Sequence, residues 1–213
     1  MSVKVKICGI TNSEDADAAV EAGADAIGFN FYRLSPRFIE PAAARNIIEA
    51  LPPFVSVVGV FVNEPEPARV IEIADILKLD AIQLHGDESP EYCAQLSDWK
   101  VIKAFRVRNE AVIARISRYD INAVLLDGYS DRAFGGTGER FDWQLARQAK
   151  KHCRVILAGG LTCENVADAI IAVKPYAVDV ASGVEIRSGK KDHDLIKRFI
   201  KEVRKSDYES NGE

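Results

Sequence analysis

The sequence predicts an α/β fold: a single closed barrel of eight parallel strands, each followed by a helix. Three observations predict it. Short apolar, β-rich runs alternate strictly with amphipathic segments along all 213 residues, a pattern that calls for strand–helix–strand units and a parallel sheet. Eight units in so short a chain suit a (β/α)8 TIM barrel better than an open doubly wound sheet. Proline, glycine and capping residues mark the junctions between units.

The strands are expected at Val3–Cys8, Ala26–Phe31, Val55–Val62, Ala81–Leu84, Val101–Phe105, Ala123–Asp127, Val155–Ala158 and Ala177–Ala181. Each is a short run rich in Val, Ile, Leu or Phe, bounded by turn residues. Helices are expected near Asn12–Ala22, Ala42–Leu51, Pro67–Leu77, Pro90–Leu96, Glu110–Ser117, Trp143–Lys151, Cys163–Ala172 and Asp194–Arg204. Thr11 or Asn12, Ser89 and Thr162 are plausible N-caps, Pro67 and Pro90 suit a first turn, and Gly23 suits a helix end. One barrel domain over residues 1–205 follows, with no linker. Residues 206–213, rich in Ser, Asp, Asn, Gly and Glu, read as an unstructured tail.

Composition narrows the function classes. A net charge of −4 and scattered Lys and Arg argue against a nucleic-acid partner. Apolar runs such as Val55–Val62 are strand-sized and too short to cross a bilayer, so no membrane partner is expected. The start of the chain shows no secretory pattern. Cys8, Cys93, Cys153 and Cys163 have no metal-ligand spacing, and they read as reduced thiols of a cytoplasmic protein.

In such a barrel the chemistry sits where the strands end. Those positions hold Cys8, the loop Ser35-Pro36-Arg37, Asn63, His85, Arg106, Asp127, Gly159-Gly160 and Ser182-Gly183. A thiol and a carboxyl on one rim suggest a general base and a general acid that move protons without a metal or cofactor. Two glycine turns after the seventh and eighth strands suit backbone N–H contacts to phosphate, helped by a following short helix. Arg37, on a loop stiffened by Pro36, suits a carboxylate, with Arg33 as a competitor. Lys4, Lys6 and Cys8 share one face of the first strand. Lys6 is expected to pair with Asp179 on the eighth strand beneath the site and to favour the Cys8 thiolate. The segment Phe134-Gly-Gly-Thr137-Gly-Glu reads as a mobile lid.

Together, Lys-Ile-Cys8-Gly-Ile-Thr, Ser35-Pro36-Arg37, Val58-Gly-Val-Phe-Val-Asn63, Gln83-Leu-His85-Gly, Leu126-Asp127, Gly135-Gly-Thr-Gly138, Leu157-Ala-Gly-Gly-Leu161 and Asp179-Val-Ala-Ser-Gly-Val-Glu185 resemble, in order, the phosphoribosylanthranilate isomerase family. The resemblance runs from residue 3 to about residue 200. It implies an aldose–ketose isomerase of tryptophan biosynthesis, acting by an Amadori rearrangement on a phosphorylated small molecule. It implies Cys8 as base, Asp127 as acid, and Arg37, His85, Gly159, Gly160, Ser182 and Gly183 as substrate-binding residues. No cofactor and no metal are implied, and members occur as monomers and homodimers. The base then needs a thiol pKa lowered toward neutrality, and the acid must keep a proton near pH 7. One departure is Ser188 where the family usually has proline. The alternatives are another phosphosugar aminoaldose isomerase, which typically has aspartate where Cys8 stands, a pentose phosphate epimerase, which needs more metal ligands than three histidines offer, or a silent ligand-binding barrel.

Overall fold

The computed structural model describes residues 2–107, 109–128 and 143–211. The barrel strands are β1 (Lys4–Cys8), β2 (Ala26–Asn30), β3 (Ser56–Phe61), β4 (Ala81–Leu84), β5 (Val101–Arg106), β6 (Ala123–Asp127), β7 (Arg154–Ala158) and β8 (Ala177–Val180). They pair in sequence order, all parallel, and β8 closes on β1 with Lys6 opposite Asp179. The helices between them are α1 (Ser13–Glu21), α2 (Pro41–Ala50), α3 (Pro67–Leu77), α4 (Pro90–Ala94), α5 (Ala111–Ile116), α6 (Trp143–Ala149) and α7 (Val166–Val173), with α8 (His193–Asn211) at the end.

Alternation along each strand sorts the side chains. Val58, Ala81, Ile102, Ala104, Ala123, Leu125, Ile156 and Ala177 fill the barrel interior as one apolar cluster. Two positions further along β4 and β8 stand Gln83 and Asp179, and with Lys6 they place a buried polar layer beneath the open end. The opposite faces, such as Val5 and Ile7 of β1, pack against the helices in the outer core. In α8, Ile196, Phe199, Ile200 and Val203 recur at helical spacing and are buried. Each contributes about 1.5–3 kcal/mol by leaving water, and together they seat α8 against α1 and α7.

Asn12 caps α1, accepting from the Asp15 N–H, and Ser89 caps α4, accepting from the Tyr92 N–H. Gly23 lies just beyond α1 with φ +95°, as a helix end requires. Two expectations change. Thr162 caps only a turn, accepting from the Glu164 N–H, and α7 starts at Val166 rather than Cys163. The segment from Ser206 is helical as far as Asn211, because Ser206 is buried and its hydroxyl donates to the Glu202 carbonyl inside α8. A small hairpin, β9 (Glu185–Arg187) with β10 (Lys190–Lys191), follows β8 by way of a single 3-10 turn. Gly189 makes its bend at φ +79°, and Thr11 Oγ1 donates to its carbonyl at 2.6 Å, so the segment carrying Ser188 is tied down without proline. The lid expected at Phe134–Glu139 lies outside the described residues. No described helix is long and apolar enough to cross a membrane.

The hairpin is anchored on Asp15, whose carboxylate accepts from the Lys191 N–H at 2.9 Å, from Asn12 at 2.8 Å and from His193 at 2.8 Å. These bonds outweigh burial and hold its pKa below the ordinary carboxyl value. Asp15→Ala is expected to destabilise the fold by about 3 kcal/mol in urea unfolding, since it strips partners from a buried site. Because the native pKa is the lower one, this contribution is complete above about pH 4 and disappears as pH falls through the native value. The variant and the parent should therefore converge in stability under acid.

Candidate active site

The strands end around one open cavity of about 640 Å³ whose lining includes Cys8, Arg37, Gln83, His85, Asp127 and Asp179. The turns Gly159-Gly160 and Ser182-Gly183 border it as well. All eight residues expected at the site from the sequence therefore meet in one hollow.

Cys8 closes β1, pointing inward two residues beyond Lys6. Lys6 Nζ donates to Asp179 Oδ1 at 2.8 Å, with both side chains more than nine-tenths buried. Space for this arrangement comes from Gly28 on β2: a Cβ there would lie 2.9 Å from Cys8 Sγ and 3.0 Å from Lys6 Nζ. The pairing expected from the sequence is present, and Lys6 favours the thiolate as expected, but burial outweighs it. Burial pushes the Cys8 pKa up, Lys6 pulls it down, and Asp179 pushes it up again, so the thiol titrates above its ordinary value. Desolvation of a nearly enclosed thiolate outweighs one cation that is already shared with a carboxylate. For Lys6 itself, burial works against the charge, but Asp179 and the thiol prevail and raise its pKa.

Asp127 ends β6 and is about a third exposed. His85, just beyond β4, places Nε2 3.3 Å from Asp127 Oδ2, while its Nδ1 lies 2.8 Å from Gln83 Nε2. His85 is thus built against the carboxyl group, and Gln83 orients the ring from below. Gly159 (φ +76°) lets the turn after β7 pass close to Asp127, where a Cβ would overlap the carboxylate. Gly160 (φ +70°) faces open space.

The loop bearing His85 is pinned from outside the barrel. Glu88 accepts from the N–H groups of Asn63 and Gly86, and Lys103 lies 3.1 Å from it, both charges being 2% exposed. Lys103 also donates to the Gly86 and Ala104 carbonyls. The Asp87 N–H donates to Asn63 Oδ1, which joins the loops after β3 and β4.

Arg37 is held in the cavity wall by Glu185, with Nε–Oε1 2.8 Å and Nη2–Oε2 2.6 Å. Its stem lies over Gly9 (φ +78°), where a Cβ would overlap Arg37 Cδ. Arg33 points elsewhere, exposed over the Phe38 ring and 3.6 Å from Glu40. Of the two arginines the sequence offers, Arg37 lines this cavity and Arg33 does not, while Glu185, Lys191 and Gln83 went unnoticed in the sequence. Gln83 was within reach, lying two residues before His85 on the same strand face. Among the described residues no three His, Cys, Asp or Glu side chains group as a metal site would need.

Comparison with known proteins agrees. Residues 5–202 match the family model described as N-(5'phosphoribosyl)anthranilate (PRA) isomerase. A relative from Geobacter sp. (strain M21), N-(5'-phosphoribosyl)anthranilate isomerase, is 55% identical over 202 residues, covering 95% of this chain and 98% of its own. The crystal structure of phosphoribosyl anthranilate isomerase from Thermotoga maritima superposes with a TM-score of 0.88 at 50% identity, covering 95% and 99% of the two chains. A structure of such an isomerase in complex with reduced 1-(o-carboxyphenylamino)-1-deoxyribulose 5-phosphate matches with a TM-score of 0.86 at 48% identity, again covering 95% and 99%.

The electrostatics around Cys8 make a signed prediction. Lys6→Met removes the charge that lowers the thiol pKa, whereas Asp179→Asn removes one that raises it. Measured as the pH midpoint of Cys8 alkylation, followed peptide by peptide, the first change should move the midpoint up and the second down. The wild-type midpoint should itself lie above that of an unburied cysteine.

Proposed function

The chain belongs to the N-(5'-phosphoribosyl)anthranilate isomerase family, and from that premise we propose that it performs the family's Amadori rearrangement with Cys8 as general base and Asp127 as general acid. The aminoaldose N-(5-phosphoribosyl)anthranilate becomes the aminoketose 1-(2-carboxyphenylamino)-1-deoxyribulose 5-phosphate, a step of tryptophan biosynthesis. The observation that carries the reading is the meeting of the Cys8 thiol and the Asp127 carboxyl group in a single cavity that also holds Arg37 and both glycine turns.

The reaction needs a proton given and a proton taken. Asp127 gives its proton to the furanose ring oxygen, the C1–O bond opens, and the nitrogen lone pair forms an iminium with C1. That cation acidifies the C2 proton, which the Cys8 thiolate removes. The resulting enolamine gains a proton at C1 and loses the one on its 2-hydroxyl, giving the ketone. The elevated thiol pKa of the free protein fits this order of events: the iminium adds a positive charge beside Cys8, which favours the thiolate when it is needed. His85 steadies the Asp127 carboxyl through the bond at 3.3 Å. Arg37 faces the anthranilate carboxylate, and the Gly159-Gly160 and Ser182-Gly183 turns offer backbone N–H groups to the phosphate.

Consumption of phosphoribosylanthranilate, generated in place, tests the assignment with a chelator present throughout. Wild type should turn over at an undiminished rate, and Cys8→Ser and Asp127→Asn should each lose at least about 10²-fold in kcat/KM. Either variant retaining near-wild-type activity would overturn its role. In Cys8→Asp, the rise of kcat/KM as pH climbs toward the thiol pKa should move to acid pH, because a carboxylate base is already ionised at neutral pH.

A further inference from the structure

The geometry points to Glu185 and Lys191 as a specificity device that presents Arg37 to the substrate's carboxylate with one free edge and an uncancelled charge. The inference rests on the proposed role of Arg37. A guanidinium has five N–H donors. Glu185 occupies Nε and one hydrogen of Nη2 at 2.8 and 2.6 Å, which leaves Nη1 and the second Nη2 hydrogen, side by side, as the edge available to a ligand.

A carboxylate used only for aiming would neutralise the arginine it aims. Lys191 prevents this. Its Nζ lies 2.9 Å from Glu185 Oε1, 2.6 Å from the Cys8 carbonyl and 3.1 Å from the Ala181 carbonyl, and the side chain is fully buried. Three acceptors require three N–H donors, so Lys191 is the ammonium ion. Two cations and one anion leave the cluster with a single positive charge, and only Arg37 carries it to the cavity. Lys191 also joins the ends of β1 and β8, so the edge of Arg37 is fixed relative to the backbone of Cys8. Substrate orientation and proton abstraction then share one frame.

The test uses phosphoribosylanthranilate and its analogue without the carboxylate, N-(5-phosphoribosyl)aniline, and reads the ratio of their kcat/KM values. Arg37→Met should lower that ratio about 10²-fold, the cost of a lost charge-assisted pair. Glu185→Gln should lower it about tenfold, through KM for the carboxylate substrate, because one fork of the clamp remains. Lys191→Met leaves Glu185 to cancel Arg37 and should also lower the ratio. The double change Glu185→Gln with Lys191→Met restores the positive charge, and its ratio should exceed that of Lys191→Met alone. Equal losses for both substrates in Glu185→Gln would make Glu185 a structural brace and overturn the inference. An unchanged ratio in Arg37→Met would instead withdraw the carboxylate role of Arg37 itself. Should Lys191→Met fail to fold, Glu185→Gln alone decides.

Discussion

The seam of the barrel is the constraint on which the rest of the structure depends. β8 meets β1 with Lys6 opposite Asp179, and their side chains join inside the barrel at 2.8 Å. A buried ion pair of this kind contributes little net stability, because desolvation offsets its attraction, and an apolar pair could close the seam as well. Its presence is explained by what stands over it. Lys6 and Asp179 set opposing fields at Cys8, and Gly28 holds open the space in which thiol and ammonium approach each other. The same contact thus closes the fold and sets the electrostatics of the thiol above it.

Around that seam, charges buried at the mouth hold loops rather than stabilise the core. Lys103 and Glu88 fasten the loops after β3 and β4, which carry Asn63 and His85. Lys191 and Glu185 fasten the hairpin after β8 and the arginine on the loop after β2. Each cluster combines an ion pair with bonds to backbone groups, so removing one partner leaves several polar atoms unsatisfied. Loops held in this way can present side chains with the precision of strands.

Much of this was legible in the sequence because barrel topology converts chain order into position. Once eight alternating units are seen, Cys8, His85 and Asp127 fall at strand ends, and Lys6 and Asp179 fall on neighbouring strands. What was hidden depends on depth and direction. Lys6 announces a cation near Cys8, but only burial reveals that desolvation prevails at the thiol. Lys191 sits beside Lys190 in a polar stretch, and no periodicity shows that one of the two turns inward while the other stays near the surface. The bond between His85 and Asp127 joins positions 42 apart through side chains whose mutual aim no strand pattern encodes. The tail was misread because its polar residues looked unable to order themselves, whereas α8 carries them on from a well-buried stripe.

The Lys6–Asp179 contact spans 173 residues of chain, and that separation has a consequence during synthesis. At ribosomal speeds of about 5–20 residues per second, Asp179 emerges roughly 10–35 s after Lys6. Through that interval β1 has no eighth strand to pair with, the seam is open, and Cys8 is an ordinary thiol in contact with solvent. A side chain largely buried in the finished barrel is therefore among the longest exposed in the nascent chain. Oxidants and electrophiles meet it on equal terms with any free cysteine until the last strand docks.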